Sequence, residues 1–148
     1  MTGPLDPIGQ AELLREASGS LLSVAPTGWR ELQFTFHSTI SVDTAMLLCA
    51  TGDGEPVPLA PPMKALRLFA KLRGGMYTTG KGAWFTARMI VSSSGSHEVT
   101  YDYDSEPEFT PPLVPETFVE DFRHFPRAEE NTPAWLRQKF AEAGRSSS

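Results

Sequence analysis

A chain of 148 residues is one domain's worth of protein, long enough to bury a sizeable core. Its formal net charge of -5, from 13 basic and 18 acidic residues with no Lys/Arg-rich run, argues against a nucleic-acid-binding protein, whose affinity comes from neutralising phosphates. It suits a soluble protein or one whose partner presents a basic face.

Cys49 stands alone, which excludes an intramolecular disulfide and a cysteine-based metal site. Its apolar setting, Ala45-Met46-Leu47-Leu48-Cys49-Ala50, reads as that of a buried, inert thiol. No apolar run approaches the roughly 18 residues of a membrane span, and no basic-then-apolar leader opens the chain. A cytoplasmic location, with neither membrane nor nucleic acid as partner, is the expectation.

Asp6-Pro7 combines an N-cap with proline at the first helical position. Ile8, Ala11, Leu14, Ala17 or Ser18, and Leu21-Leu22 then recur at helical spacing, which predicts a helix over roughly 7–23. Pro26-Thr27-Gly28 ends it. From Trp29, the residues Leu32, Phe34 and Phe36 alternate with Glu31, Gln33, Thr35 and His37, the pattern of a half-buried strand. After a turn within Ser38–Asp43, Thr44–Thr51 is apolar enough to predict a neighbouring strand buried on both faces. Gly52-Asp53-Gly54-Glu55-Pro56 is a turn or loop, and a short extra strand at Val57–Leu59 stays open.

Pro61-Pro62 introduces an amphipathic helix with Met63, Leu66 and Phe69-Ala70 on its apolar side, Leu72-Arg73 as further candidates, and Gly74-Gly75 as its stop. Lys64, Arg67 and Lys71 read as a solvated face. Gly82–Val91 and His97–Asp104, joined by Ser92-Ser93-Ser94-Gly95-Ser96, form a β-hairpin. In its second strand Val99, Tyr101 and Tyr103 share one face, while Glu98, Thr100, Asp102 and Asp104 share the other.

A proline-rich link from Pro107 to Pro115 leads to a short helix with Phe118, Val119 and Phe122 inward, Phe125 as a further candidate, and Glu116, Glu120 and Asp121 outward. Thr132-Pro133 starts a last helix carrying Trp135, Leu136, Lys139 and Phe140, stopped by Gly144, with Arg145-Ser146-Ser147-Ser148 as a frayed tail. The order implies a single α+β domain with an ordered core over residues 6–143. Its architecture is a four-stranded or slightly larger antiparallel sheet, with the N-terminal, middle and C-terminal helices on one face. The other face is left for solvent or a partner.

No catalytic constellation emerges. His37, His97 and His124 share no metal-ligand spacing, and no serine occupies a strand-turn-helix elbow. Thr79-Gly80-Lys81-Gly82 lacks the full phosphate loop and leads into a strand. Asp102, Asp104, Glu106 and Glu108, at every second position, admit four readings: a solvated face, a surface for a partner protein, a divalent-cation site, or a catalytic carboxylate pair. Tyr101, Tyr103, Phe109 and Trp84 lie close by in sequence. Mixed acidic and aromatic surface suits an interface in which acids steer and aromatics anchor.

The run Trp29-Arg30-Glu31-Leu32-Gln33-Phe34 after a helix, Gly82-Ala83-Trp84-Phe85-Thr86-Ala87, the Gly95 turn, and Val99-Thr100-Tyr101-Asp102-Tyr103-Asp104 together resemble the YezG-type antitoxin and immunity proteins of bacterial polymorphic-toxin systems. Phe125-Pro126-Arg127 and Pro133-Ala134-Trp135-Leu136 look like an actinobacterial-style elaboration of that pattern, while the long link Pro107–Pro115 departs from it. The resemblance implies an α+β fold and a non-catalytic, cofactor-free role: binding a cognate toxin and blocking its active site. Toxins of such systems include nucleases and NAD-consuming enzymes, whose clefts are often basic. Tyr101, Asp102, Tyr103, Asp104, Glu106 and Glu108 are then expected at or near the interface, with Trp84 either anchoring the hairpin or joining the contact. The alternative is a regulatory domain that binds a small molecule or metal on the open sheet face, and a carboxylate hydrolase stands behind both.

Overall fold

The computed structural model describes residues 5–52 and 54–146. Asp53 of the expected turn and Ser147-Ser148 of the expected tail lie outside them. Strands β1 (Trp29–Ser38), β2 (Asp43–Thr51), β3 (Val57–Leu59), β4 (Thr86–Ser92) and β5 (His97–Asp102) form one antiparallel sheet in the order β3-β2-β1-β4-β5. The α+β architecture holds, and Val57–Leu59 supplies the fifth strand.

Alternation on β1 sets the two faces of the sheet. Leu32, Phe34 and Phe36 are fully buried, and their cross-strand neighbours continue the core side: Leu47, Phe34, Met89 and Val99 form one row, Ala45, Phe36, Ala87 and Tyr101 the next. Such lateral contacts are what stabilise a sheet beyond its ladder. Strand β2 departs from the expected burial on both faces. Leu47 and Cys49 are buried, but Met46 on the opposite face is 59% exposed.

Helices α1 (Pro7–Leu22) and α2 (Met63–Gly75) cover the core face. Asp6 caps α1 by accepting from Gly9 N–H at 2.7 Å. Its buried stripe is Leu13, Ala17 and Leu21, whereas Ile8, expected inside, is 71% exposed. On α2, Phe69 lies 5.1 Å from Phe34 and 5.8 Å from Phe36, centroid to centroid, whereas Met63 points outward. Gly75 permits close approach of the chain ahead of α1: Leu5 N–H donates to Gly75 O at 2.7 Å, and a Cβ there would sit 2.4 Å from the Leu5 side chain.

Helices α3 (Pro115–His124) and α4 (Ala134–Ser146) pack on each other and make a second, smaller core in which Phe118 and Leu136 enclose Phe85. Gly144 does not end α4, which continues through Arg145 and Ser146, the first two residues of the expected tail. Phe85 therefore joins two cores, its backbone leading into β4 and its ring lying among the C-terminal helices.

Candidate functional site

Two buried cations hold the ground on which the candidate surface stands. Arg73, in the last turn of α2, donates from Nη1 and Nη2 to Asp121 Oδ1 and Oδ2 of α3 at 2.8 and 2.9 Å. Its Nε donates to Trp84 O at 2.5 Å, and Asp121 Oδ1 also accepts from Ile40 N–H at 2.7 Å. One ion pair thus ties α2, α3, the β1–β2 turn and the approach to β4. Asp121, expected on the outer face of its helix, is only 3% exposed, which corrects that placement: a carboxylate can be buried where a bidentate guanidinium meets it.

Arg127 supports the same approach segment. Its Nη2 donates to Ala83 O at 2.9 Å, its Nη1 donates to Asn131 O at 3.0 Å, and its guanidinium lies 5.0 Å from the Phe85 ring centre. Burial lowers its pKa from the usual arginine value, an effect opposed by nearby Asp104.

Trp84 is held within this framework. It is fully buried, stacks on Tyr101 at 5.4 Å and meets Phe36 edge-on at 6.1 Å. Of its two expected roles, anchoring is the one the geometry gives it; a side chain with no exposed surface does not join a contact. The residue also precedes β4, which begins at Thr86 and not at Gly82.

Tyr101 and Tyr103 pack on the core side and are half-buried. Lys81 Nζ lies 4.6 Å from the Tyr103 ring centre, within cation–π range. The Tyr101 phenol is pushed up to about 12 by burial, with Tyr103 adding to the effect.

The acidic residues do not form the straight row that alternation implies. β5 ends at Asp102, whose Oδ1 accepts from Ser105 N–H at 2.9 Å and Asp104 N–H at 3.0 Å. These bonds, the one from Ser105 foremost, hold the Asp102 carboxyl below its usual pKa. The chain turns here, so Asp104 leaves the strand's two-residue period. Beyond the turn, Trp135 Nε1 donates to Asp104 O at 2.7 Å, and Glu106 pairs with Lys139 at 3.5 Å. Phe109 is buried, with its ring 6.0 Å from that of His37. Asp104, Glu106 and Glu108 keep exposed side chains along this path.

The sheet face opposite the helices carries three cross-strand rows. Leu48, Gln33, Ile90 and Glu98 form the first; Met46, Thr35, Arg88 and Thr100 the second; Thr44, His37, Thr86 and Asp102 the third. Glu108 and Thr110 overhang the second and third rows and help enclose a cleft of about 500 Å³. His37 Nδ1 and Thr86 Oγ1 are 2.9 Å apart, and burial lowers the His37 pKa, opposed by Glu108 and assisted by Arg88.

Arg88 was absent from the expected site because a lone cation on a strand reads as a solvated side chain. Its alternation between Ala87 and Met89 was the available signal for its outward direction. Among the described residues no group of three or more His, Cys, Asp or Glu side chains could hold a metal ion, and no helix is long and apolar enough to cross a membrane. No protein-family model matches the chain, and no curated protein sequence matches it.

Proposed function

We propose that this chain is an immunity-type inhibitor, a non-catalytic domain that binds a cognate toxin in the cytoplasm and blocks its active site. The observation that carries the proposal is the run of exposed carboxylates, Asp104, Glu106 and Glu108, on the segment that rims an uncovered sheet face. Two aromatic anchors fix the start of that segment: the buried Trp84 under Tyr101, and the half-buried Trp135 on the Asp104 carbonyl. A rigid acidic rim suits a partner with a basic cleft, because complementary charge speeds encounter and sets orientation. The sequence resemblance to YezG-type proteins supports the same reading. Asp102 contributes through its turn, and the tyrosines through the support they give to β5.

The test is co-expression with the product of the neighbouring toxin-like gene, followed by calorimetry of the purified pair. A one-to-one complex and protection of growth are expected. Asp104→Lys with Glu108→Lys should weaken that complex by about tenfold or more. An unchanged affinity would sink the acidic rim as the contact surface.

A second reading, a regulatory domain binding a small molecule, draws on the cleft of about 500 Å³ lined by Gln33, Thr35, His37 and Arg88. Thermal-shift measurements with nucleotides and divalent ions separate the two, since a ligand that binds the folded state raises the melting temperature.

A further inference from the structure

The two edges of the sheet are chemically unlike. β3 is three residues long with Pro58 at its centre, a short edge with a missing donor. β5, at the other edge, is six residues long and has no proline.

Hydrogen bonds that bracket the hairpin fix which backbone groups of β5 face outward. Ser92 N–H donates to Ser96 O at 2.9 Å across the β4–β5 pair. Ser93 N–H donates to Arg30 O, and Ser38 N–H to Phe85 O, each at 2.9 Å across the β1–β4 pair. Even-numbered residues of β4 therefore turn their backbone groups toward β5. In the register Ile90 opposite Glu98, Arg88 opposite Thr100 and Thr86 opposite Asp102, even-numbered residues of β5 face back. The N–H and C=O groups of His97, Val99 and Tyr101 point away from the sheet, and no described residue hydrogen-bonds to them.

The side chains along this edge add a pattern. Glu98 and Asp102 flank Thr100 on the open face, while Val99 and Tyr101 lie on the core side. Arg88 sits one strand inward, opposite Thr100, so the acidic positions of the edge are the two outer ones. An antiparallel strand added here would set its own residues opposite these at Cβ separations of about 5 Å.

We propose that β5 is a β-augmentation edge for an extended segment of a partner protein. The segment has basic residues four positions apart opposite Glu98 and Asp102, a polar residue between them, and apolar residues at the two intervening positions. This rests on the protein-binding reading above and adds the chemistry of the segment bound. Main-chain bonds to His97, Val99 and Tyr101 supply affinity, and the alternating side chains supply selectivity. A second copy of the chain is the wrong occupant: each copy carries a net charge of -5, and the strand His97–Asp102 offers Glu98 and Asp102 but no lysine or arginine.

The probe is a peptide whose core reads lysine, valine, threonine, valine, lysine, added to the full chain while amide exchange is followed residue by residue. Slowed exchange at the Val99 and Tyr101 amides by about tenfold or more is expected, as is weaker binding after Glu98→Lys. Val99→Pro removes an outward donor and leaves the β4 ladder intact, so it should abolish peptide binding. Should Val99→Pro unfold the chain, Glu98→Lys still decides the matter. The proposal is overturned if neither amide is protected, if the same peptide with glutamate for lysine binds equally well, or if a concentration-dependent dimer protects these amides without peptide. Toxin-like partner binding that survives Glu98→Lys and Val99→Pro unchanged would also overturn the edge while leaving the inhibitor reading intact.

Discussion

Arg73 and Asp121, 48 positions apart in the chain, meet in the interior as a bidentate pair whose side chains are 3% and 4% exposed. The same carboxylate receives the Ile40 N–H, and the same guanidinium donates to the Trp84 carbonyl. Removing one partner leaves the other charge desolvated and bare. Asp121→Ala should therefore destabilise the fold by about 3–5 kcal/mol, measured by urea unfolding. The double variant Arg73→Met with Asp121→Leu should lose less than the two single changes added together. Strict additivity would mean that the pair acts as two independent groups.

Gly82 and Gly95 both hold positive φ, +88° and +99°, but their surroundings differ. A Cβ on Gly82 would lie 2.5 Å from Arg127 Cγ, whereas one on Gly95 would meet open space. Gly95→Ala should cost about 1 kcal/mol from backbone conformation alone. Gly82→Ala should cost more, because Arg127 must also shift from the Ala83 carbonyl. Equal losses in denaturation midpoint would show that Arg127 yields without penalty.

Alkaline unfolding should report on Tyr101. Its phenol has a folded-state pKa of about 12 against an ordinary value of 10.0. Below pH 10 it is protonated in both states and the contribution is fully present. Between pH 10 and 12 the unfolded chain releases the proton first, so stability falls as pH rises. Tyr101→Phe should flatten this part of the curve while keeping the ring stacked on Trp84. A parent and variant with parallel curves from pH 9 to 12.5 would rule the linkage out.

The legible parts of the fold were those written in local pattern. Asp6-Pro7 marked the start of α1, the even positions of β1 marked the core face, and Val99 and Tyr101 fell inward as their alternation required. Asp121 and Arg127 were opaque because a charge is buried only through a partner, and theirs come from segments 48 and 44 positions away in sequence. The acidic stretch failed for a different reason. Its alternation continues in the letters past Asp102, but the backbone turns where that carboxylate takes the Asp104 and Ser105 amides. Periodicity describes a strand only while the strand lasts.

The two cores of the molecule are separate in packing yet inseparable in sequence. A chain cut after Pro112 would retain the sheet, α1 and α2, with all the apolar residues of the larger core. It would also retain the Arg73 guanidinium in its pocket and lose both the carboxylate that neutralises it and the helices that enclose Phe85. The segment after Pro112 is therefore no detachable appendage. It supplies the counter-charge that makes the amino-terminal interior habitable, and shortened versions of this protein inherit a defect in the last turn of α2.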